Sequence, residues 1–211
     1  MKRSRASIAI LGLTGLLALS VSCTTTRSSA GTRPGSGEWL DPSPTLRSDI
    51  ESHAHRLPWV HGLEERVEII QWFAGVGEPA YPVLLELAID TRPGVAGSAL
   101  AALGATGDAR LVEHLQDIEL PDDAEDTLRL ELARALLTLG DWVSAMPTLI
   151  EGLQNEELYV RALALRTLSD VTGHRHDYDA RAEVEEREEG VARWQQWWAR
   201  QSGDPMQARG T

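Results

Sequence analysis

The sequence predicts an all-α fold, on three observations. From about Thr45 onward, apolar residues recur at helical spacing. A small residue followed by an acid recurs as Gly77-Glu78, Gly107-Asp108, Gly140-Asp141 and Ser169-Asp170, at intervals of 30, 33 and 29 residues, the mark of a repeated structural unit. No run of alternating apolar and polar residues argues for a strand.

At the start of the chain, Lys2, Arg3 and Arg5 precede an uncharged apolar run from Ile8 to Val21, closed by the small Ser22. That order is a secretory signal, and the run is shorter than the roughly 20 apolar residues a spanning helix needs. Leu19-Ser20-Val21-Ser22-Cys23 resembles the lipobox of bacterial lipoproteins, with Ser20 where that family usually carries leucine. The resemblance implies cleavage before Cys23, acylation of that cysteine and an address on the cell envelope, facing the periplasm or the outside. Thr24, in place of an aspartate, is similar to the class sorted to the outer membrane of Gram-negative organisms. Residues 1–22 are then the signal. Residues 23–44 are the lipidated cysteine and a flexible tether, because the stretch from Thr24 to Gly37 is too poor in apolar residues to fold.

The 211 residues leave room for one modest domain. Cys23 is the only cysteine, which excludes a disulfide framework and a thiolate metal cage within one chain. Loss of residues 1–22 removes three basic groups and no acid, moving the net charge from −12 to −15. Such a chain lacks the basic clusters that nucleic acid or an anionic lipid surface would require, so contact with the membrane is expected through the lipid on Cys23 only.

Within the repeats, Phe73, Leu103, Leu136 and Leu165 stand four positions before the small residue, and Ile70, Leu100, Ala133 and Ala162 stand seven before. Those two columns predict the buried stripe of a first helix. Each small residue suits a left-handed cap, and the acid after it suits the N-cap of a second helix. Second helices are expected over Pro79 to Ile89, Asp108 to Ile118 and Asp141 to Leu153, with Pro93 and Pro121 opening the next first helices. Helix pairs at a period near 30 resemble the HEAT family, above all Asp141 to Leu153 and Tyr159 to Leu165. The resemblance covers about Leu63 to Asp170 and implies a short right-handed α-solenoid of about four HEAT-like helix pairs.

Solenoid ends need covers. Before the first repeat, Leu46, Ile50, His53 and Leu57 share one helical face that stops at Pro58. After the last, Thr172-Gly173 opens a polar loop, and a helix from Arg187 to Arg200 carries Val191, Trp194 and Trp198 on one face, with Trp197 alongside. This segment resembles one that follows HEAT-like repeats in other bacterial proteins. Ala180 stands where those often have a proline, which predicts a looser turn. The domain with its capping helices spans residues 45–200, and residues 201–211 read as a disordered tail.

Candidate chemistry is sparse. His53 and His55 are two apart on a helix and point roughly 200° apart, so they cannot grip one ion; His53 is expected to pack and His55 to be solvated. His174 and His176 precede Asp177 and Asp179 in an irregular segment, where imidazoles and carboxylates could converge on zinc or copper; loop polarity explains the same letters. No glycine-rich phosphate loop, nucleophile elbow or HExxH motif occurs. Some HEAT-like proteins attach bilin pigments and a few relatives are iron-type hydroxylases, and neither set of residues is present here. No cofactor is implied. What remains is binding: Glu86 and Asp90, and likewise Glu113 and Asp117, are four apart, predicting one acidic ridge across two second helices. Such a ridge suits another envelope protein with a basic surface, or it only keeps the domain soluble. The tryptophan-bearing terminal helix is a further docking candidate, against which core burial of Trp194 and Trp198 is the competing expectation.

Overall fold

The computed structural model describes residues 39–203. The expected signal, Cys23 with the expected tether up to residue 38, and residues 204–211 lie outside the described residues. All nine α-helices described are joined by turns, and no strand occurs among the described residues, so the fold is all-α.

Helix α1, Pro44–Arg56, starts on a proline at its first position, with Ser43 Oγ accepting from Leu46 N at 3.3 Å. A single 3-10 turn, Leu57–Trp59, follows it. Ile50 and Leu57 are buried while Leu46 and His53 are half-buried, so the expected face is the one that packs. His53 lies flat on Trp72, ring centroids 3.8 Å apart, and His55 is exposed.

The helix pairs are α2 (Leu63–Val76) with α3 (Tyr81–Ala88), α4 (Pro93–Ala105) with α5 (Leu111–Gln116), and α6 (Asp126–Thr138) with α7 (Trp142–Gly152). A fourth first helix, α8 (Leu158–Thr172), is followed by a loop and then α9 (Val184–Ser202). First helices stack in chain order, α2 on α4, α4 on α6 and α6 on α8, while α3 packs on α4, and α7 on both α6 and α8. This two-layered, sequential stacking is compatible with a solenoid. The terminal helix α9 lies on α7, covering the place a fourth second helix would take.

The first predicted column is buried throughout: Phe73 is 1%, Leu103 0%, Leu136 6% and Leu165 5% exposed. Gly104 shows how closely α4 and α6 approach, because a Cβ there would stand 2.8 Å from Thr138 Oγ1 and 2.9 Å from Ala135 Cα. The second column slips at its last member, Ala162, which is exposed. The end of α8 departs from the pattern as well. Ser169 is not a cap but lies inside the helix, its hydroxyl donating to Leu165 O at 2.7 Å, and α8 runs on to Gly173, whose φ of 73° supplies the left-handed cap. In the three earlier pairs the small residue does adopt positive φ. Of the acids that follow, Asp141 caps its helix, accepting from Ser144 N at 3.2 Å; Asp108 Oδ1 accepts from Arg110 N, just before α5, at 3.1 Å, and Glu78 is instead taken up by Leu40 N and the Arg110 guanidinium.

Several boundaries differ from expectation. The second helix expected over Asp108 to Ile118 shrinks to the six residues of α5, and the helix expected at Pro121 begins at Asp126. A turn intervenes, with Ala124 N donating to Pro121 O at 2.9 Å, and Arg129 Nη2 donates back to the carbonyls of Pro121 and Asp122 at 3.0 and 2.8 Å. At the C-terminal end α9 begins three residues earlier than Arg187, with Glu185 and Glu186 in the first turn where the helix dipole favours acids. It continues through Gln201 and Ser202, which the sequence assigns to the tail. The loop before it is tight rather than loose: Ala180 is buried and its carbonyl accepts from Arg161 Nε at 2.9 Å. Arg161 Nη1 also donates to the carbonyls of Asn155 and Glu156, so one buried guanidinium ties the α7–α8 turn to the loop.

Candidate functional site

The four carboxylates of the expected ridge do not form one. Glu86 is exposed on α3, but α3 ends at Ala88 and Asp90 sits in the turn beyond it. There its Oδ1 accepts from Arg92 N and Nε, both at 2.8 Å, and its Oδ2 from Arg92 Nη2 at 2.6 Å. Those bonds hold the carboxyl below its ordinary range and neutralise it locally. Glu113 and Asp117 keep the helical relation, Asp117 N donating to Glu113 O at 3.2 Å, and both are exposed. The half-ridge on α5 stands; the half on α3 does not, because the helix stops two residues short of Asp90.

Beside that surviving pair the layer of second helices opens. With α5 only six residues long, a groove of about 640 Å3 remains over α6. Ser144, Thr148 and Glu151 of α7 form one wall, Ile118 and Leu120 of the α5–α6 linker form the other, and Arg129, Leu132 and Leu136 of α6 lie beneath. Gln116 Nε2 spans from α5 to Asp141 Oδ2 at 2.7 Å and Ser144 Oγ at 3.3 Å. Elsewhere along the groove Asn155 Nδ2 donates to Asp126 Oδ2 at 2.5 Å. Asp126 and Glu151 line the groove, and Glu119, Asp122, Asp123 and Glu125 stand exposed along the linker. The one lining cation, Arg129, is committed to the linker carbonyls.

A second arrangement lies where the described chain begins. Trp39 and Leu40, assigned by sequence to the tether, are docked on α3 and α5. The Trp39 ring meets Tyr81 edge-on at 5.0 Å and His114 at 5.1 Å, and the Arg110 guanidinium sits 5.3 Å from its centroid. Leu40 N donates to Glu78 Oε1 at 3.1 Å. Arg110 Nη2 joins Glu78 at 2.9 Å and Asp108 at 2.7 Å, and the Tyr81 hydroxyl donates to Asp108 Oδ2 at 3.2 Å. The Arg110 hydrogen bond holds Asp108 at about 2 and pulls Glu78 below its usual range. Composition alone hid this docking, since Trp39-Leu40 is a single apolar pair at the end of a polar stretch.

The histidine-bearing loop is built differently from a metal site. His176 and Asp177 both take positive φ, 48° and 52°, which is costly for residues other than glycine. Arg193 of α9 holds that turn, its Nε donating to His176 O at 2.8 Å and its Nη2 to Asp177 O at 3.3 Å. His174 and His176 stack at 5.1 Å, and His176 stands edge-on to Trp194 at 4.5 Å. Asp177 is exposed, and Asp179 Oδ1 turns back to accept from Arg181 N at 2.9 Å. The expected convergence of His174, His176, Asp177 and Asp179 is therefore not formed, and no metal-holding group of three or more His, Cys, Asp or Glu occurs among the described residues.

The cluster has a pH consequence. Burial, then His174 and Arg200, push the His176 imidazole below 6.5, with Arg193 adding to them and Asp177 opposing. In the window from the unfolded value near 6.5 down to the depressed folded value, the unfolded chain binds more protons, so stability falls as pH falls. Melting between about pH 7.5 and about pH 5 should therefore show a steeper loss for the parent than for His176→Asn, which tolerates the left-handed backbone and does not titrate. Equal slopes would remove His176 from the account.

Among the described residues no helix is long and apolar enough to cross a membrane. The chain matches no family model and no curated protein.

Proposed function

We propose that this chain is a non-catalytic interaction lipoprotein of the bacterial cell envelope, anchored through Cys23, whose helical-repeat domain presents a binding surface to another envelope protein. The observation that carries this reading is the open groove over α6. It pairs an apolar wall with hydrogen-bonding and acidic groups, the composition of a recognition surface. The HEAT-like sequence pattern supports it, because stacked helix pairs offer extended surface. The lipobox-like Leu19–Cys23 supports the address.

Two measurements test the reading. Detergent partitioning of the native protein against Cys23→Ala should move the variant to the aqueous phase. A photo-crosslinking side chain at Leu120, on the groove wall, should capture an envelope protein in the native cell, whereas one at the exposed Glu68 of α2 should not. Equal partitioning would remove the lipid anchor, and equal or absent capture at both positions would remove the groove as the partner-facing surface.

A further inference from the structure

Resting on that reading, we infer that the groove over α6 takes an extended peptide segment of the partner in which basic and apolar side chains alternate. Three features of the groove specify this occupant.

The first is length. The lining runs from Ser144 of α7 to Gln154 in the turn just past its end, and ten residues at about helical rise span about 15 Å. An extended chain advances about 3.3 Å per residue, so about five residues fit. The second feature is that the two walls differ in chemistry. On α7, Ser144, Thr148 and Glu151 recur at i, i+4 and i+7 and share one face, while the facing linker offers Ile118 and Leu120. An extended strand sends successive side chains to opposite sides, so alternate residues meet a polar, acidic wall and an apolar one. A helix, with its stripe on one side, would not satisfy both.

The third feature is charge. Asp126 and Glu151 line the groove, and four more exposed carboxylates follow along the linker, at Glu119, Asp122, Asp123 and Glu125. Arg129 also lines the groove, its Nη2 held by the carbonyls of Pro121 and Asp122, and its single positive charge leaves the balance of these six carboxylates acidic. A cationic side chain entering beside Glu151 is favoured over a neutral or acidic one. The acids alone would not select a peptide. The apolar wall and the hydrogen-bonding row supply the selection, and the charge sets its sign.

The test uses the purified mature full-length protein and fluorescently labelled pentapeptides, read by anisotropy at two salt concentrations. A peptide alternating leucine and arginine should bind. The same composition with the arginines grouped at one end should bind about tenfold more weakly, and a version with glutamate for arginine should not bind. Glu151→Gln should weaken the alternating peptide about tenfold and flatten its salt dependence, and Leu120→Ser should weaken it about as much without changing that dependence. Both positions lie on the surface of the groove, and unchanged melting of each variant keeps loss of folding apart from loss of binding. Binding that ignores the order of residues, or that survives both substitutions, overturns the inference in favour of diffuse charge attraction, and absence of binding overturns it outright. If the Leu120 position still captures an envelope partner in the cell while the alternating peptide fails, the interaction reading survives and the extended basic occupant falls. Loss of capture as well takes down both.

Discussion

Leu136→Asp should unfold the domain or lower its melting temperature by well over 10 °C. Leu136 is 6% exposed at the contact of α6 with its neighbours. Truncating a buried leucine costs about 2–5 kcal/mol, and an unpaired carboxylate put in its place adds a desolvation cost of similar size. A domain of this size has about 5–15 kcal/mol to lose. The informative control is Ala162→Asp. The repeat pattern places Ala162 in the same buried column as Leu100 and Ala133, but the side chain is exposed on α8, so the change should stay within about 0.5 kcal/mol. Thermal melts of the two variants separate the alternatives: if Ala162→Asp is as damaging as Leu136→Asp, the sequence register extends into the fourth unit and the observed slip is wrong.

That contrast shows what the sequence can specify. Periodicity is a property of faces, so the existence of the first helices and the column of Phe73, Leu103, Leu136 and Leu165 could be read directly. Helix ends depend on local competition for hydrogen bonds. The aligned Ser169-Asp170 looks like the earlier glycine–acid pairs, but a serine can stay helical by donating to Leu165 O, and Gly173, four residues after that serine, is the better cap. Pro121 looks like a helix start, but the acids after it formed a turn that Arg129 stabilised from within the next helix. Such partners are several residues away, and no pattern of apolar spacing reveals them.

The candidate site was less legible for the same reason. Acidic character around α5 was apparent, and Glu113 with Asp117 survives as a pair. The groove was not, because it arises from the shortness of α5 and the path of residues 117–125, which are departures from the repeat rather than features of it. Asp90 falls two residues past the end of α3, and its pairing with Arg92 two residues on is a turn geometry, not a helical one. Trp39 was hidden in a polar stretch, although an aromatic followed by leucine just before the first predicted helix is the kind of signal that could have found it.

Trp194→Ala should be nearly as damaging as the α6 substitution, and Trp194→Phe should not. Trp194 is fully buried on α9, edge-on to His176 and 5.7 Å from Trp197. Removing the indole from such a site costs about 3–5 kcal/mol, which for this chain length corresponds to a fall of roughly 6–20 °C in melting temperature. The loss should begin at the C-terminal end, because α9 covers α7 and no second helix stands behind it. The indole Nε1 is buried without a hydrogen-bond partner, so the tryptophan carries an uncompensated polar group as well as apolar area. Phenylalanine keeps most of the ring and removes that group, so its net cost should be about 1 kcal/mol or less. Hydrogen exchange resolved along the chain checks both points: in Trp194→Ala, protection should collapse over α9 and weaken on α7 before α2 to α4 change. Were Trp194 a docking residue instead, the alanine variant would melt like the parent and lose only partner capture, and the role of α9 as the cover of the last unit would have to be abandoned.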